Sequence, residues 1–240
     1  MSIMPEQYAF VLHARPYRDN QQLVDLFTEA EGKVSALVFV GQSKRSIKKA
    51  LLQPFLPLKV ILKGNANLKH IHAIESCAKS YPLVRHSLFS AFYINELLIR
   101  LLTEHITCQD LFNQYQKTIS ALANQQDIAP QLRIFEAALL AELGVSFEFS
   151  PVFEHDVQWF CYVGEEGFIP IYDEQVMTKT EHNRYFNSEH LRAIANKQHQ
   201  GIATLSVESE QTFKLLMRQV INNLLGNKPL NSRKLFIKNL

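Results

Sequence analysis

The chain has 240 residues, 47% of them hydrophobic and 20% charged, with 25 Lys and Arg against 23 Asp and Glu for a formal net charge of +2. That is enough apolar material for a full core in one large or two small domains, and it excludes a disordered tail. No stretch approaches the roughly 18 uninterrupted apolar residues of a membrane span, no signal-peptide pattern opens the chain, and three scattered cysteines (Cys77, Cys108, Cys161) give no disulfide framework, so the expected setting is the cytoplasm.

Residues 1–80 read as short strands: YAFVLHA (Tyr8 to Ala14), QLVDLFT (Gln22 to Thr28), KVSALVFV (Lys33 to Val40), LKVILK (Leu58 to Lys63) and LKHIHAIES (Leu68 to Ser76). They are rich in β-branched and aromatic residues, and several alternate apolar with polar. Turn chemistry separates them at Arg15-Pro16 and Asp19-Asn20, at Glu31-Gly32, at Gly41 and at Gly64-Asn65. Five short antiparallel strands suit a small closed barrel, because closure removes exposed edges. An oligonucleotide-binding (OB) barrel is the natural candidate, and an SH3-like barrel fits nearly as well on pattern alone.

Charge is segregated along the chain. Residues 1–80 hold eleven Lys and Arg against six Asp and Glu, whereas residues 141–200 hold four against ten. Such asymmetry points to a basic working surface without identifying its partner. The connection after the third strand reads GQSKRSIKKALLQPFLPL, with Lys44, Arg45, Lys48 and Lys49 close together. It is either a solvated loop or a phosphate-contacting surface.

After Tyr81-Pro82 the apolar period changes to that of helices. Residues 83–104 are apolar on most faces, which marks a buried central helix. Asp110 opens a second helix with Leu111, Phe112, Tyr115, Ile119 and Leu122 on one stripe, and Pro130 and Gly144 bound a third. An irregular insertion at about 145–175 contains a hairpin pattern, QWFCYV and FIPIY, around Gly164 to Gly167. Ser188 is placed to cap a short helix, and Ser206 a long one ended by Gly226. The expected fold is α+β: an OB barrel over 1–80, then a helical domain over 81–240.

The sequence carries few marks of catalytic chemistry. There is no phosphate-binding Walker loop, dinucleotide-binding turn or nucleophile elbow. His70 and His72 share one face of a strand but have no carboxylate or cysteine at ligand spacing, and Cys161 stands alone where a structural zinc needs four ligands. The expectation is a protein without catalysis and without metal.

Five segments then carry a resemblance: AFVLHARPY (Ala9 to Tyr17), LVDLFTEAEGKV (Leu23 to Val34), GQSKRS (Gly41 to Ser46), FYINELLIRLL (Phe92 to Leu102) and GNKPLNSRKLF (Gly226 to Phe236). In this order they resemble the RecO family of bacterial DNA repair proteins over nearly the whole chain. The resemblance implies a non-enzymatic recombination mediator in the cytoplasm, associated with the nucleoid. Such a protein binds single- and double-stranded DNA, anneals complementary strands and, with RecR, helps RecA replace single-strand-binding protein. An adaptor whose DNA binding is secondary is the alternative. Many members carry four zinc-binding cysteines just after the position of Gly144. Here that region reads VSFEFSPVFEHDVQWFCYV, so zinc is not carried over, and Phe147, Phe149, Val152 and Trp159 are left to hold it together.

With the resemblance, Lys44, Arg45, Lys48 and Lys49 become expected DNA contacts, joined by Arg15 and Arg18 from the neighbouring turn. Tyr17 between those arginines is either a base-stacking residue or a core tyrosine. On the third helix Arg133 either pairs with Glu136 at i+3 or binds the acidic, Phe-terminated tail of single-strand-binding protein, with Phe135 and Leu139 lining an apolar groove. Near the C-terminus, Lys228, Arg233, Lys234 and Lys238 surround Pro229-Leu230 and Leu235-Phe236; the segment is either a frayed basic tail or docked onto the helical domain, with Arg233 satisfying helix-end carbonyls.

Overall fold

Alternating apolar residues build five strands: β1 (Gln7–Arg18), β2 (Gln21–Thr28), β3 (Gly32–Phe39), then a short helix α1 (Ile47–Leu51), β4 (Leu58–Lys63) and β5 (Leu68–Ser76). The computed structural model describes residues 5–41, 47–64, 67–173, 185–197 and 205–237; Lys44, Arg45 and Lys238 lie outside them. The strands close into a barrel in the order β1-β2-β3-β5-β4, with β1 returning to β4 and only the β3–β5 pair parallel. That is an OB barrel, and it settles the choice against an SH3-like one. Ala9, Val11, Val24, Leu26, Val34 and Val60 fill its interior at 1% exposure or less.

Part of the outer face of β1 and β2, at Phe10 and Phe27, is buried as well, which a half-buried strand pattern does not anticipate. Phe10 and Phe27 stack on Phe112 and Tyr115 with ring centres 5.1–5.9 Å apart. Those two residues belong to α3 (Gln109–Ala123), which follows α2 (Arg85–Leu101). A bulge between Val11 and His13 takes Leu12 out of register with β2. The Leu12 carbonyl accepts instead from buried Asn95 Nδ2 at 3.1 Å, and Asn95 Oδ1 accepts from the Tyr115 hydroxyl at 2.9 Å. One buried amide thus satisfies a strand irregularity and a core tyrosine together.

The β2–β3 hairpin is crossed by the α2–α3 connection. His105 N–H donates to the Lys33 carbonyl at 2.9 Å, and Thr107 Oγ1 donates to the Ala30 carbonyl at 2.6 Å. Lys69 on β5 pairs with Glu31 in the same hairpin. Gly32 sits beneath the crossing at φ +65°, where an added Cβ would lie 1.9 Å from the Ile106 carbonyl oxygen. The left-handed backbone and the close approach both require glycine.

Beyond α4 (Ile128–Glu142) come α5 (Ser150–Glu154), β6 (Trp159–Val163), β7 (Gly167–Ile171), β8 (Tyr185–Asn187), α6 (Ser188–Lys197), α7 (Val207–Leu224) and α8 (Arg233–Ile237). The chain forms two compact units, Met1–Ala138 with Leu230–Leu240, and Leu139–Pro229, so the division falls inside α4. In the second unit β7-β6-β8 form a small sheet that includes the hairpin read from the sequence. Phe147, Phe149, Tyr162 and Phe168 pack with ring centres 5.0–6.2 Å apart, and Val152 is fully buried. Trp159, expected among them, is only half-buried, because alternation along β6 turns Phe160 and Tyr162 inward instead. Ser206 Oγ caps α7 by accepting the Ser209 N–H at 3.2 Å. For α6 the capping side chain is Asn187, which accepts from Glu189 N–H at 2.9 Å, while Ser188 is the buried first helical residue.

The C-terminal segment docks in the first unit, on α2. Glu96 accepts the backbone N–H groups of Asn231 and Ser232 at 2.9 and 2.8 Å, and Phe236 meets Phe89 edge-on at 5.5 Å. Leu230 and Ser232 are buried.

Candidate nucleic-acid interface

Among the described residues β1 pairs with β4 only over Gln7 to Ala9, which leaves its second half with one edge unpaired there. Pro16, which has no N–H to give, is tolerated there and does not end the strand. Arg15, Tyr17 and Arg18, expected on a turn, therefore sit on the end of β1, and only Asp19-Asn20 remains as the turn. A second bulge between Pro16 and Arg18 leaves Tyr17 without a partner on β2. Tyr17 is 43% exposed, which rules out the core reading. The Arg18 guanidinium lies 5.3 Å from its ring centre, an arrangement in which the cation and the ring order each other.

Strand register extends this cluster sideways. Arg18 faces Gln21, and Gln21 faces Phe39; the next row runs Arg15, Leu23, Leu37 and His70. Phe39 is 60% exposed at the end of β3, where its ring is open to solvent. Nothing in the sequence reading singles it out, although Val34, Ala36 and Val38 pointing inward require Phe39 to point outward. Lys48 and Lys49 are exposed on α1, which lies against β5. A row of cations with flat rings between them can hold a phosphate backbone and stack its bases.

Prediction follows directly for Phe39. Phe39→Ala should weaken binding of a short single strand by about 1–3 kcal/mol, the worth of one base–aromatic stack, and leave the salt dependence unchanged because no charge is removed. Fluorescence anisotropy across a salt series measures both quantities.

Other sequence candidates separate from this face. His70 and His72 are exposed, and among the described residues no group of three His, Cys, Asp or Glu is placed to hold a metal. Arg133 does pair with Glu136, Nη2 to Oε1 at 2.7 Å, but the pair is not a surface one: the side chains are 13% and 1% exposed. Tyr93 donates its hydroxyl to the same Oε1 at 2.6 Å. Burial pushes the Glu136 carboxyl above the ordinary carboxylate range, opposed by Arg133, the Tyr93 hydrogen bond and Arg233. Phe135 and Leu139 are both fully buried, Phe135 against Tyr115 at 6.4 Å, so they are core residues in this conformation and not an open groove; Leu139 begins the second unit.

The first eighty residues are thus an OB-fold module with a basic, aromatic outer face, followed by a helical region. Family models described as Recombination protein O N terminal and Recombination protein O C terminal match residues 1–79 and 84–234. The DNA repair protein RecO of Psychromonas ingrahamii is 37% identical over 234 residues, 95% of this chain and 96% of that protein. That of Actinobacillus succinogenes is 35% identical over 247 residues, covering 100% and 98%. The chain belongs to the RecO family of DNA repair proteins. No helix among the described residues is long and apolar enough to cross a membrane.

Proposed function

We propose that this chain is a non-enzymatic recombination mediator of the cytoplasm and nucleoid. It binds single- and double-stranded DNA on the barrel's outer face, anneals complementary strands and, with RecR, helps load RecA onto DNA covered by single-strand-binding protein. The observation that supports it best is the exposed cluster of Arg15, Tyr17, Arg18 and Phe39 on a closed OB barrel, with Lys48 and Lys49 exposed on α1. Its test is RecA loading on coated, gapped DNA with RecR present, read as DNA-dependent ATP hydrolysis by RecA. Addition of this protein should shorten the lag. An unchanged lag speaks against the mediator role, and a lag shortened equally by a variant that no longer binds DNA favours the adaptor reading.

In this reading Arg133 takes the terminal carboxylate of the partner's acidic tail. Arg133→Ala should weaken a Phe-terminated acidic peptide by on the order of 1.5–3 kcal/mol, the worth of charge-assisted hydrogen bonds, and barely change binding of naked DNA. Paired titrations of peptide and of a bare strand measure the two effects, and equal losses would remove Arg133 from the tail site. We further propose that the chain works without zinc, the Phe147–Phe149–Tyr162–Phe168 cluster stabilising the second unit by apolar burial. A strong chelator should leave the thermal transition in place, and one tightly bound zinc per chain would contradict this.

A further inference from the structure

We propose that Glu136 is a built-in competitor for the peptide site. Its carboxylate holds Arg133 where the terminal carboxylate of an acidic partner peptide would, and binding exchanges one carboxylate for the other. The inference rests on the reading of Arg133 as the residue that takes that terminal carboxylate, and it names the groups that set how tightly the site binds. Arg133, Glu136 and Tyr93 all belong to the first unit.

Arg133 and Glu136 stand three apart on α4, so their side chains share one face of the helix. Their hydrogen bond is a single one, Nη2 to Oε1 at 2.7 Å. Nε and Nη2 lie along one edge of the guanidinium, an edge that grips a carboxylate through two parallel hydrogen bonds. Here that grip is half-made: among the described residues, Arg133 Nε and Glu136 Oε2 are both buried without hydrogen-bond partners. Oε1 instead receives a second bond, from the Tyr93 hydroxyl of α2 at 2.6 Å. Burial and the Glu136 carboxylate push that hydroxyl well above the ordinary tyrosine range, so Tyr93 stays a neutral donor. The Arg133 side chain keeps 13% exposure against 1% for Glu136, so the pair is approached from the arginine side.

A buried donor and a buried acceptor that both lack partners are costly, so the internal pair is poorer than one in which a carboxylate engages both nitrogens. A peptide's terminal carboxylate is not tied to α4 and can align with the whole edge, which satisfies Nε as well as Nη2. Glu136 then keeps the Tyr93 hydroxyl, and that bond spares it the penalty of a buried charge with no partner. A peptide ending in an amide offers the edge one neutral oxygen only, so the exchange selects a carboxylate. Affinity is limited because the ligand displaces a counter-charge already in place.

The test uses the full chain and two fluorescent peptides of one sequence, three Asp then Phe, one ending in a free carboxylate and the other in a carboxamide. Glu136→Gln keeps an oxygen for Tyr93 and Arg133 but removes the competing charge. It should bind the free-acid peptide about tenfold more tightly, a gain of roughly 1.4 kcal/mol, and bind the amide like the unaltered chain. Tyr93→Phe should act in the opposite direction, weakening the free acid about tenfold and sparing the amide, because Glu136 is then left without a partner only in the bound state. In an Arg133→Ala background, which itself weakens the free acid, Glu136→Gln should bring no gain. If Arg133→Ala weakens the free acid while Glu136→Gln fails to tighten it, the competitor is refuted and the Arg133 site stands. If Arg133→Ala leaves the free acid unchanged, the underlying reading fails and the proposal with it. Equal gains on both peptides, or a gain that survives Arg133→Ala, would show that Glu136 acts by some route other than this exchange and overturn the proposal. Should Glu136→Gln not fold, Tyr93→Phe decides alone: equal or no loss on the two peptides refutes the exchange.

Discussion

Replacing Lys44, Arg45, Lys48 and Lys49 together by Ala should flatten the log–log salt dependence of single-strand binding by about 3, since each phosphate neutralised on a single strand contributes roughly 0.7 to the slope. Over an about fourfold rise in salt that difference amounts to roughly 50-fold in affinity. The loss should be the same for every base sequence, because phosphate contacts carry no base information. Lys48 and Lys49 are solvent-exposed on a helix that buries no residue of its own, so their removal should not disturb the fold. Anisotropy titrations across a salt series check this. An unchanged slope would return the stretch to a solvated loop, and a loss confined to certain sequences would mean that these cations read bases.

Gly32→Ala should destabilise the first unit by about 3–5 kcal/mol, combining the strain of a left-handed non-glycine residue with a forced shift of the crossing connection. The obstacle is backbone: the new Cβ would stand 1.9 Å from the Ile106 carbonyl oxygen, and Ile106 lies between His105 and Thr107, both hydrogen-bonded to the hairpin. Gly144→Ala is the matched control. Its φ of +71° is equally left-handed, but nothing lies within 4 Å of the added carbon, so strain alone should cost about 1 kcal/mol. Urea unfolding measures both, read as a shift in midpoint at constant slope. Similar losses at the two glycines would show that the crossing connection is free to move.

The barrel was legible because its signal is local. Alternation in KVSALVFV and the turn residues between strands specify where each strand runs, and the stripe of Leu111, Phe112, Tyr115, Ile119 and Leu122 specifies the buried side of α3. What escaped the sequence depends on contacts between distant positions. Pro16 and Asp19 read alike as turn residues, yet only the pairing partners of β1 show that the chain runs straight through the proline. Asn95 reads as a polar blemish in an apolar helix until the bulge at Leu12 supplies an unpaired carbonyl for it. Phe39 counts as one more apolar residue until the register shows that it faces away from the barrel interior. The Arg133–Glu136 pair was visible as an i+3 spacing, but its burial was not, because Tyr93 comes from a helix more than thirty residues earlier. Spacing identifies which side chains can meet within a helix; only tertiary packing decides whether they meet in water.

Annealing of complementary strands that are each coated with single-strand-binding protein tests the central claim most directly. The unaltered chain should accelerate duplex formation, and the variant lacking Lys44, Arg45, Lys48 and Lys49 should lose most of that acceleration while its thermal transition stays in place. Equal acceleration by the two proteins would contradict the assignment of strand binding to these four cations.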